Sequence, residues 1–383
     1  MLAVCLLGAV AATAAVPGLS YSFVLVSDLD RASHMLEGSR SVWRAWLQHG
    51  ELLAFDDTSS ADCSADACSR PRRRYRVRMG GAVELFSKHA YKDRGMELSD
   101  LVQFGEPGDL WSVCDSTGLL YRLPSASGGG NRRAVLPQRV LLDDDGSSSM
   151  PCKSEWMAVK DGSLYVGGHG KEWVDRGVVK GRGAEWVRVV GADGTLKYED
   201  WHDRYAMLRA ATNTSFPGYI SHEAVDWDDV SRQWVMAPRK AQYSSVEGGY
   251  DDKTDELRGT NLLLTVSEDF DTVGQLELGA LDLAWGASGI RLLPTADGDD
   301  AQQQAARHVL VVSSSEQGDH AESSIGVFSM DDGQSLLLPD DGDDLPVDGG
   351  DAVAAVAVAA ADGVVWYPVG SRKYEGVSFL SPP

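Results

Sequence analysis

The sequence predicts an all-β fold in which sheets of about four strands are arranged around a common axis, a β-propeller. Short apolar runs separated by turn residues recur from residue 21 to the end of the chain. Residues with side-chain oxygens stand at the start of successive runs, at Ser99, Glu155, Glu223, Ser288 and Glu375, with intervals of 56, 68, 65 and 87 residues. Such irregular spacing is a weak repeat, but it fits one four-stranded unit per interval.

The clearest unit is the hairpin at residues 153–168. Two apolar runs, 156–159 and 164–166, flank Asp161 and Gly162, a pair that supplies the positive φ angles of a tight hairpin turn. Glu155 stands where the first strand begins. Taken alone, a carboxylate in this position is a solvated strand end, and only its repetition in other units suggests a function.

The first strand, residues 21–27, is followed by Asp28 and Asp30, which either belong to a site at the end of the strand or cap the next turn. Residues 42–47 fit a helix or a strand equally well, and residues 203–211 predict a brief helix. The remaining predicted strands lie at residues 98–102, 110–121, 185–190, 222–227, 233–240, 261–266, 274–278, 286–293, 308–313, 324–329 and 374–380. Inserts at 124–135, 295–305 and 331–351 interrupt this pattern, and the last two are low-complexity acidic loops.

The composition favours a globular enzyme or binding protein with cationic partners. Apolar residues make up 43% of the chain, which is enough for a large core, and the formal charge is −22. Because this charge repels polyanions, nucleic acid is excluded as a partner and divalent cations are favoured. Part of the excess is local, since residues 331–351 contain eight Asp and no Lys or Arg.

Residues 1–20 predict a secretory signal peptide, with an N-terminal membrane anchor or an imperfect gene model as alternatives, and residues 21–383 a single propeller domain. The sequon at Asn213 agrees with export, so we expect a place in the secretory pathway (Golgi or ER lumen) or outside the cell. Cys63 and Cys68 lie in a polar loop where a local disulfide is expected. The sequence leaves the oligomeric state open.

The inner strands of a propeller converge, so Glu155, Glu223 and Glu375 are expected to meet at the axis. Three carboxylates in one place repel one another unless a cation lies among them. Calcium takes about six to eight oxygen ligands, whereas zinc would need His and Cys that are missing here. The sequence therefore predicts a central calcium site.

Seven motifs stand out along the chain. They are Arg94-Gly95-Met96-Glu97-Leu98-Ser99-Asp100, residues 155–173 and 185–187, Gly218-Tyr219-Ile220-Ser221-His222-Glu223, Pro238-Arg239, residues 259–264 and Lys373-Tyr374-Glu375-Gly376. Together they resemble the calcium-activated nucleotidases of the apyrase family. The resemblance runs in order from residue 23 to residue 380. It implies a five-bladed β-propeller that hydrolyses nucleoside di- and triphosphates and requires Ca²⁺.

The resemblance also implies roles for individual residues. The calcium ligands would be Ser99, Asp100, Glu155, Glu223, Ser288 and Glu375, of which Ser288 is aligned by the shortest motif. Asp30 would orient or deprotonate the attacking water, with Glu155 as the second catalytic residue, and Arg94 and Arg239 would hold the phosphates. Without the resemblance, Arg239 is interpreted as a cation at the end of a surface strand.

Two features remain open. His169 stands where the family tends to have an apolar residue, and it either lies near the substrate or is incidental. Trp43, Trp156 and Trp173 are candidates for stacking on a base, although buried tryptophans are common in propeller cores.

The working hypothesis is hydrolysis of the terminal phosphoanhydride bond of UDP or GDP, with UTP, ATP and ADP left open. One alternative is a non-catalytic propeller, stabilised by calcium, that binds a protein or a glycan. Another is a calcium-dependent lactonase or esterase, which the paired arginines disfavour because they indicate an anionic substrate. Asp30, Arg94 and Arg239 distinguish an enzyme from a binding protein, since a calcium clamp does not need them.

Overall fold

A computed structural model describes residues 13–57, 72–124, 130–245, 250–251, 255–295, 307–318, 320–339, 358–359 and 364–380. The predicted disulfide between Cys63 and Cys68 and most of the two acidic inserts lie outside these ranges. Cys114 and Cys152, which are inside them, are free and buried. The predicted leader, residues 1–20, remains a prediction, and its last eight residues belong to the first strand.

The structure is built almost entirely from β-strands. In chain order these are β1 (Thr13–Asp28), β2 (His34–Glu37), β3 (Arg40–Asp57), β4 (Arg72–Ser87), β5 (Leu98–Gln103), β6 (Leu110–Cys114), β7 (Leu119–Leu123), β8 (Arg132–Ala134), β9 (Leu136–Val140), β10 (Trp156–Lys160), β11 (Ser163–Gly167), β12 (Trp173–Asp175), β13 (Val178–Gly181), β14 (Trp186–Gly191), β15 (Leu196–Asp200), β16 (Tyr219–Asp228), β17 (Gln233–Gln242), β18 (Leu262–Ser267), β19 (Val273–Glu277), β20 (Gly286–Leu292), β21 (His308–Gln317), β22 (His320–Ser329), β23 (Val358–Ala359), β24 (Val365–Gly370) and β25 (Lys373–Phe379). The α-helix α1 (His202–Ala211) and short 3-10 turns at Asp30–Ser33, Gly183–Glu185 and Asp255–Leu257 connect some of them.

These strands form five blades. Four of them follow the chain, with strand orders β5-β6-β7-β9, β10-β11-β14-β15, β16-β17-β18-β19 and β20-β21-β22-β24. In the remaining blade the C-terminal strand β25 pairs with β1, followed by β3 and β4. The last strand of the chain thus completes the first blade and closes the ring, which confirms the five-bladed propeller.

The innermost strands pack against one another around the axis. β5, β10, β16, β20 and β25 each contact the next strand in this order, and β25 contacts β5. Two glycines permit this close approach. A Cβ on Gly376 would lie 2.5 Å from the carbonyl carbon of Asp100, and one on Gly289 would lie 2.1 Å from the carbonyl oxygen of Glu375. Residues on the inner strands of different blades therefore meet.

A β-bulge interrupts four of the five inner strands at the positions that the sequence singled out. The ladder skips Ser99 between Leu98 and Asp100, and it skips Ser288 between Ala287 and Gly289. The same occurs at Glu223 in β16 and at Glu375 in β25. A bulged residue has no partner in the ladder, so its backbone turns away from the sheet. In the fifth blade Glu155 precedes β10, and its N–H donates to the carbonyl of Gly167 at 2.8 Å.

The core lies between the blades. The burial of its tryptophans bears on base stacking, and β3 resolves whether residues 42–47 form a helix or a strand. Trp156 is fully buried and packs against Trp201 and Trp234, with ring centroids 5.7 Å and 6.3 Å away. Trp43 is buried in β3, which shows that residues 42–47 form a strand rather than a helix. Of the three tryptophans considered for base stacking, Trp173 is the exposed one, at 40%.

The brief helix that the sequence predicted at residues 203–211 is α1, which begins one residue earlier. Asn213 follows it and is exposed, so the sequon is accessible on the surface. Within the described ranges, no helix combines the length and the apolar composition that a membrane span requires.

Candidate active site

Three glutamates from three blades lie near the axis on one face of the propeller. Glu155 and Glu375 are 5% and 4% exposed, and Glu223 is partly buried. The guanidinium of Arg239 connects two of them, because one nitrogen contacts Glu223 and lies 3.1 Å from Glu375. Its other terminal nitrogen lies 2.9 Å from Glu316, on β21. Arg239 is 4% exposed, so the interpretation made without the family resemblance, a cation at the end of a surface strand, is wrong.

Two lysines form ion pairs with two of these glutamates, Glu155 and Glu375. Lys153 Nζ lies 2.7 Å from Glu155 and 2.7 Å from Asp115. Lys373 Nζ lies 2.9 Å from Glu375, 2.8 Å from Glu316 and 3.1 Å from Asp28. Each lysine precedes its glutamate by two residues. Both lysines therefore lie near the beginning of an inner strand, Lys153 before β10 and Lys373 at the start of β25.

Arg94 lies on the rim of the same cluster. Its Nε donates to Glu97 at 2.9 Å, and its terminal nitrogen contacts the other oxygen of Glu97 and lies 3.7 Å from Asp30. Asp30 is exposed, with a φ of 46°, and its N–H donates to the Asp28 carboxylate at 2.7 Å. Carboxylate oxygens of Asp28, Asp30 and Glu97 all lie within 4.8 Å of one another. Arg94 and Asp30 therefore stand together at the solvent edge of the buried network.

Burial and mutual repulsion shift the titration of the carboxylates. Burial raises the pKa of Glu155 to about 7 although Lys153 opposes the shift, and Glu223 raises it further. Burial likewise raises the pKa of Glu375 well above its ordinary value, against Lys373. For Glu316, burial also acts upward, but Arg239 and Lys373 outweigh it and hold the pKa at about 2. At Glu155 and Glu375 the neighbouring lysines therefore do not offset the effect of burial on the pKa.

The donor set fits a calcium ion. Among the residues that the structure describes, the connected cluster has eight carboxylates and four cationic side chains, namely Arg94, Lys153, Arg239 and Lys373. The hydroxyl of Ser99 is buried without a hydrogen-bond partner among the described residues. Hard oxygen donors with excess negative charge, and an unused buried oxygen, are what Ca²⁺ binds in proteins.

Comparison with known proteins identifies the family of the chain. The family model described as Apyrase matches residues 29–380. The chain belongs to the apyrase family.

Curated relatives of this apyrase are also named apyrases or calcium-activated nucleotidases. The soluble calcium-activated nucleotidase 1 of Rattus norvegicus is 32% identical over 366 residues, which cover 95% of this chain and 74% of the relative. Apyrase apy-1 of Caenorhabditis elegans is 35% identical over 257 residues, or 66% of this chain and 64% of the relative. An apyrase of Cimex lectularius is 34% identical over 220 residues, 57% of each chain. The resemblance inferred from the motifs is confirmed, and the protein is a nucleotide-hydrolysing enzyme.

Not every predicted site residue of the apyrase lies in the charged cluster. Asp100 is fully buried, and both of its carboxylate oxygens accept hydrogen bonds from elsewhere. One oxygen accepts from Leu101 N at 2.7 Å and from Arg291 at 2.8 Å, and the other accepts from Met157 N at 2.6 Å. The hydroxyl of Ser288 donates to the carbonyl of Tyr374 at 2.9 Å. The ligand roles of Asp100 and Ser288 therefore remain predictions.

Sequence reasoning missed five of the twelve residues of the cluster. The missed residues are Glu97, Asp115, Lys153, Glu316 and Lys373. Two of them carried a visible signal, because the pattern Lys-x-Glu occurs at both Lys153 and Lys373, just before β10 and at the start of β25. No such pattern marks Glu316 or Asp115. Glu316 lies near the C-terminal end of β21, and Asp115 directly follows β6, so each comes from the second strand of its blade.

Proposed function

We propose that this apyrase hydrolyses the terminal phosphoanhydride bond of nucleoside di- and triphosphates, such as UDP and GDP, releases inorganic phosphate and requires Ca²⁺. The observation that carries the proposal is the convergence of Glu155, Glu223 and Glu375 beside Arg94 and Arg239. The names of the rat and mouse relatives, calcium-activated nucleotidases, support the cofactor.

Glu155, Glu223 and Glu375 would hold the ion through their carboxylates, with Ser99 and Ser288 contributing oxygens at their bulges and Asp100 as the sixth predicted ligand. When bound, calcium would supply Lewis-acid charge that neutralises phosphate oxygens and so lowers the barrier to attack of water on the terminal phosphorus and to departure of the shortened nucleotide. Two of the four bulges carry serines, whose backbone is released from the ladder, which is consistent with oxygen donation from the main chain.

The cationic residues would bind the phosphate chain. Arg94 is 37% exposed at its side chain, so its guanidinium is open to solvent on one side while Glu97 fixes the other. A forked guanidinium can bind two phosphate oxygens at once. Arg239 compensates the charge of Glu223 and Glu375, and it becomes available to a phosphate oxygen once these carboxylates have another counter-charge.

Asp30 would orient the attacking water and accept its proton. Its side chain is 56% exposed, and it lies 3.7 Å from Arg94 and 3.8 Å from Lys373. Water bound to this carboxylate would lie beside the groups proposed to hold the phosphate, and it would attack phosphorus as its proton passes to Asp30. A non-catalytic propeller has no use for an exposed aspartate between two cations.

A panel of substrates and metals tests the proposal. We expect phosphate release from UDP and GDP with Ca²⁺, much less with Mg²⁺ and none with EGTA, because the site offers many flexible oxygen ligands rather than the compact octahedron that Mg²⁺ prefers. UTP, ATP and ADP belong in the same panel. Phosphate release that is equally fast with EGTA would rule out the calcium-dependent mechanism.

Replacing Arg94 with Gln should raise KM for UDP about tenfold or more, because a charge-assisted contact to phosphate is lost. Steady-state phosphate release measures it. The matched control is Arg204→Gln, because Arg204 is equally exposed, at 37%, and pairs with Glu199 outside the cluster. An unchanged KM in the Arg94 variant would remove this residue from the phosphate site.

A place in the secretory pathway or outside the cell is also part of the proposal. It rests on the apolar segment at residues 1–20 and on the exposed sequon at Asn213.

A further inference from the structure

His169 lies at the seam between two blades that each supply an axial glutamate. Its carbonyl accepts the N–H of His222 at 3.0 Å, and His222 immediately precedes Glu223. The loop that holds His169 also packs against the other glutamate. Gly167 accepts the N–H of Glu155, and a Cβ on Gly168 would lie 2.8 Å from the carbonyl oxygen of Lys153. The backbone thus fixes His169 beside Glu155 and Glu223.

The imidazole of His169 has an unused donor. The side chain is 4% exposed, and its Nδ1 accepts the N–H of Lys171 at 3.1 Å. In a neutral ring the proton must then lie on Nε2. Nε2 has no hydrogen-bond partner among the described residues. Leaving a buried donor unpaired is energetically unfavourable, so an unpaired donor next to a functional site needs an explanation.

The ring is neutral at ordinary pH. Burial lowers the pKa of His169 well below its usual value, and the positive charges of Lys171 and Lys153 and the ring of His222 lower it further. Its Nε2–H is therefore a constant donor and cannot serve as a general acid or base near neutrality.

The surroundings of the ring indicate what the absent acceptor is. Lys153 and Lys171 place positive charge near it, which favours an anionic oxygen. Trp173 lies edge-on to the imidazole, with centroids 4.9 Å apart, and is 40% exposed. The ring therefore lies directly beneath a residue that reaches solvent. His222, by contrast, is fully buried against Tyr205, at a centroid distance of 5.4 Å.

We propose that His169 is a positioning residue for the substrate, whose Nε2–H donates a hydrogen bond to an anionic phosphate oxygen of the bound nucleotide. This inference rests on the proposed nucleotide hydrolysis at the axial site. It assigns a role to a residue that differs in chemistry from the apolar residue expected at this position. A donor held at the seam between the blades of Glu155 and Glu223 would align the phosphate chain without taking part in proton transfer.

Two substitutions separate the hydrogen bond from the shape of the side chain. His169→Leu removes the donor, and we expect KM for UDP to rise about 10- to 100-fold with kcat within about twofold of the wild type, as for one lost hydrogen bond to a charged group. His169→Gln keeps an N–H near the position of Nε2, so its KM should return toward the wild-type value. His320→Leu is the control, because His320 is an exposed histidine at the start of β22. Equal KM values for the Leu variant and the wild type would overturn the inference.

A binding experiment on the unaltered enzyme does not depend on how the variants fold. The Nε2–H resonance of His169 is followed by ¹⁵N NMR while the α,β-methylene analogue of UDP is added with Ca²⁺. A downfield shift and slower exchange of this proton with solvent are expected, whereas an unchanged resonance in the saturated complex means that buried water alone satisfies the donor and contradicts the inference. A wild-type enzyme that hydrolyses no nucleotide refutes the proposed function instead, and it leaves the NMR result to decide the role of His169.

Discussion

Replacing Glu155 with Ala should reduce Ca²⁺-dependent phosphate release at least about 100-fold at a fixed, subsaturating Ca²⁺ concentration. The carboxylate is 5% exposed and is one of three axial glutamates, so its loss removes a full ligand charge from the proposed calcium site. Calcium affinity in proteins varies over several orders of magnitude with the number of charged ligands. The variant also leaves Lys153 with Asp115 as its remaining carboxylate partner.

The measurement is phosphate release from UDP over a Ca²⁺ titration, together with calorimetric Ca²⁺ binding to each variant. Asp161→Ala is the matched control, because Asp161 lies in the turn of the same hairpin but is 53% exposed at its side chain and pairs with Arg232 at the surface. Its calcium dependence should equal that of the wild type. If the Glu155 variant binds Ca²⁺ as tightly as the wild type, Glu155 is not a ligand.

Replacing Arg291 with Met should lower the free energy of unfolding by about 3–5 kcal/mol, because it leaves a buried carboxylate without its counter-charge. Arg291 is 6% exposed and donates to Asp100 and to the carbonyl of Leu101, both at 2.8 Å. Even with this partner, burial raises the pKa of Asp100 to about 7. The pair connects the inner strand β20 to the inner strand β5, so it stabilises the closed ring.

Chemical denaturation of the two proteins measures this loss. The control Arg232→Met removes a surface arginine that contacts Asp161 and Glu268, and it should cost at most about 1 kcal/mol. In the double variant Asp100→Leu/Arg291→Met both charges are absent, so much of the loss should be recovered. A loss below that of the surface control would show that Asp100 does not depend on Arg291.

The sequence predicted the repeating unit because a hairpin is a local structure. Asp161, with a φ of 50°, and Gly162, with a φ of 70°, form the turn that their residue types require, and the strands on either side pair in the expected register. The helix after Trp201 was predicted for the same reason. The ambiguous residues 42–47 became a strand because they pair with β4 on one side and, at their two ends, with β2 and β1 on the other. Their own sequence does not contain this information.

The bulges mark the limit of local reasoning about the site. Ser99, Glu223, Ser288 and Glu375 were selected as oxygen-bearing residues at the starts of strands. Whether the hydrogen-bonded ladder skips a residue depends on the partner strand. In the sequence, the bulges at Ser288 and Glu375 are indicated by the glycine that follows each of these residues.

By itself the sequence determined the all-β class, the hairpin units, the recurrent acidic positions and, through its motifs, the apyrase family. These properties follow from residue type, short-range spacing and ordered similarity. Only the tertiary structure decided which charges compensate one another. Arg239 reaches Glu375 and Lys373 reaches Asp28 across separations of 136 and 345 residues, because ring closure brings both ends of the chain to one axis. Burial at that axis, not residue type, raises the pKa of Glu155 despite the nearby Lys153. Burial also leaves Nε2 of His169 without a hydrogen-bond partner among the described residues.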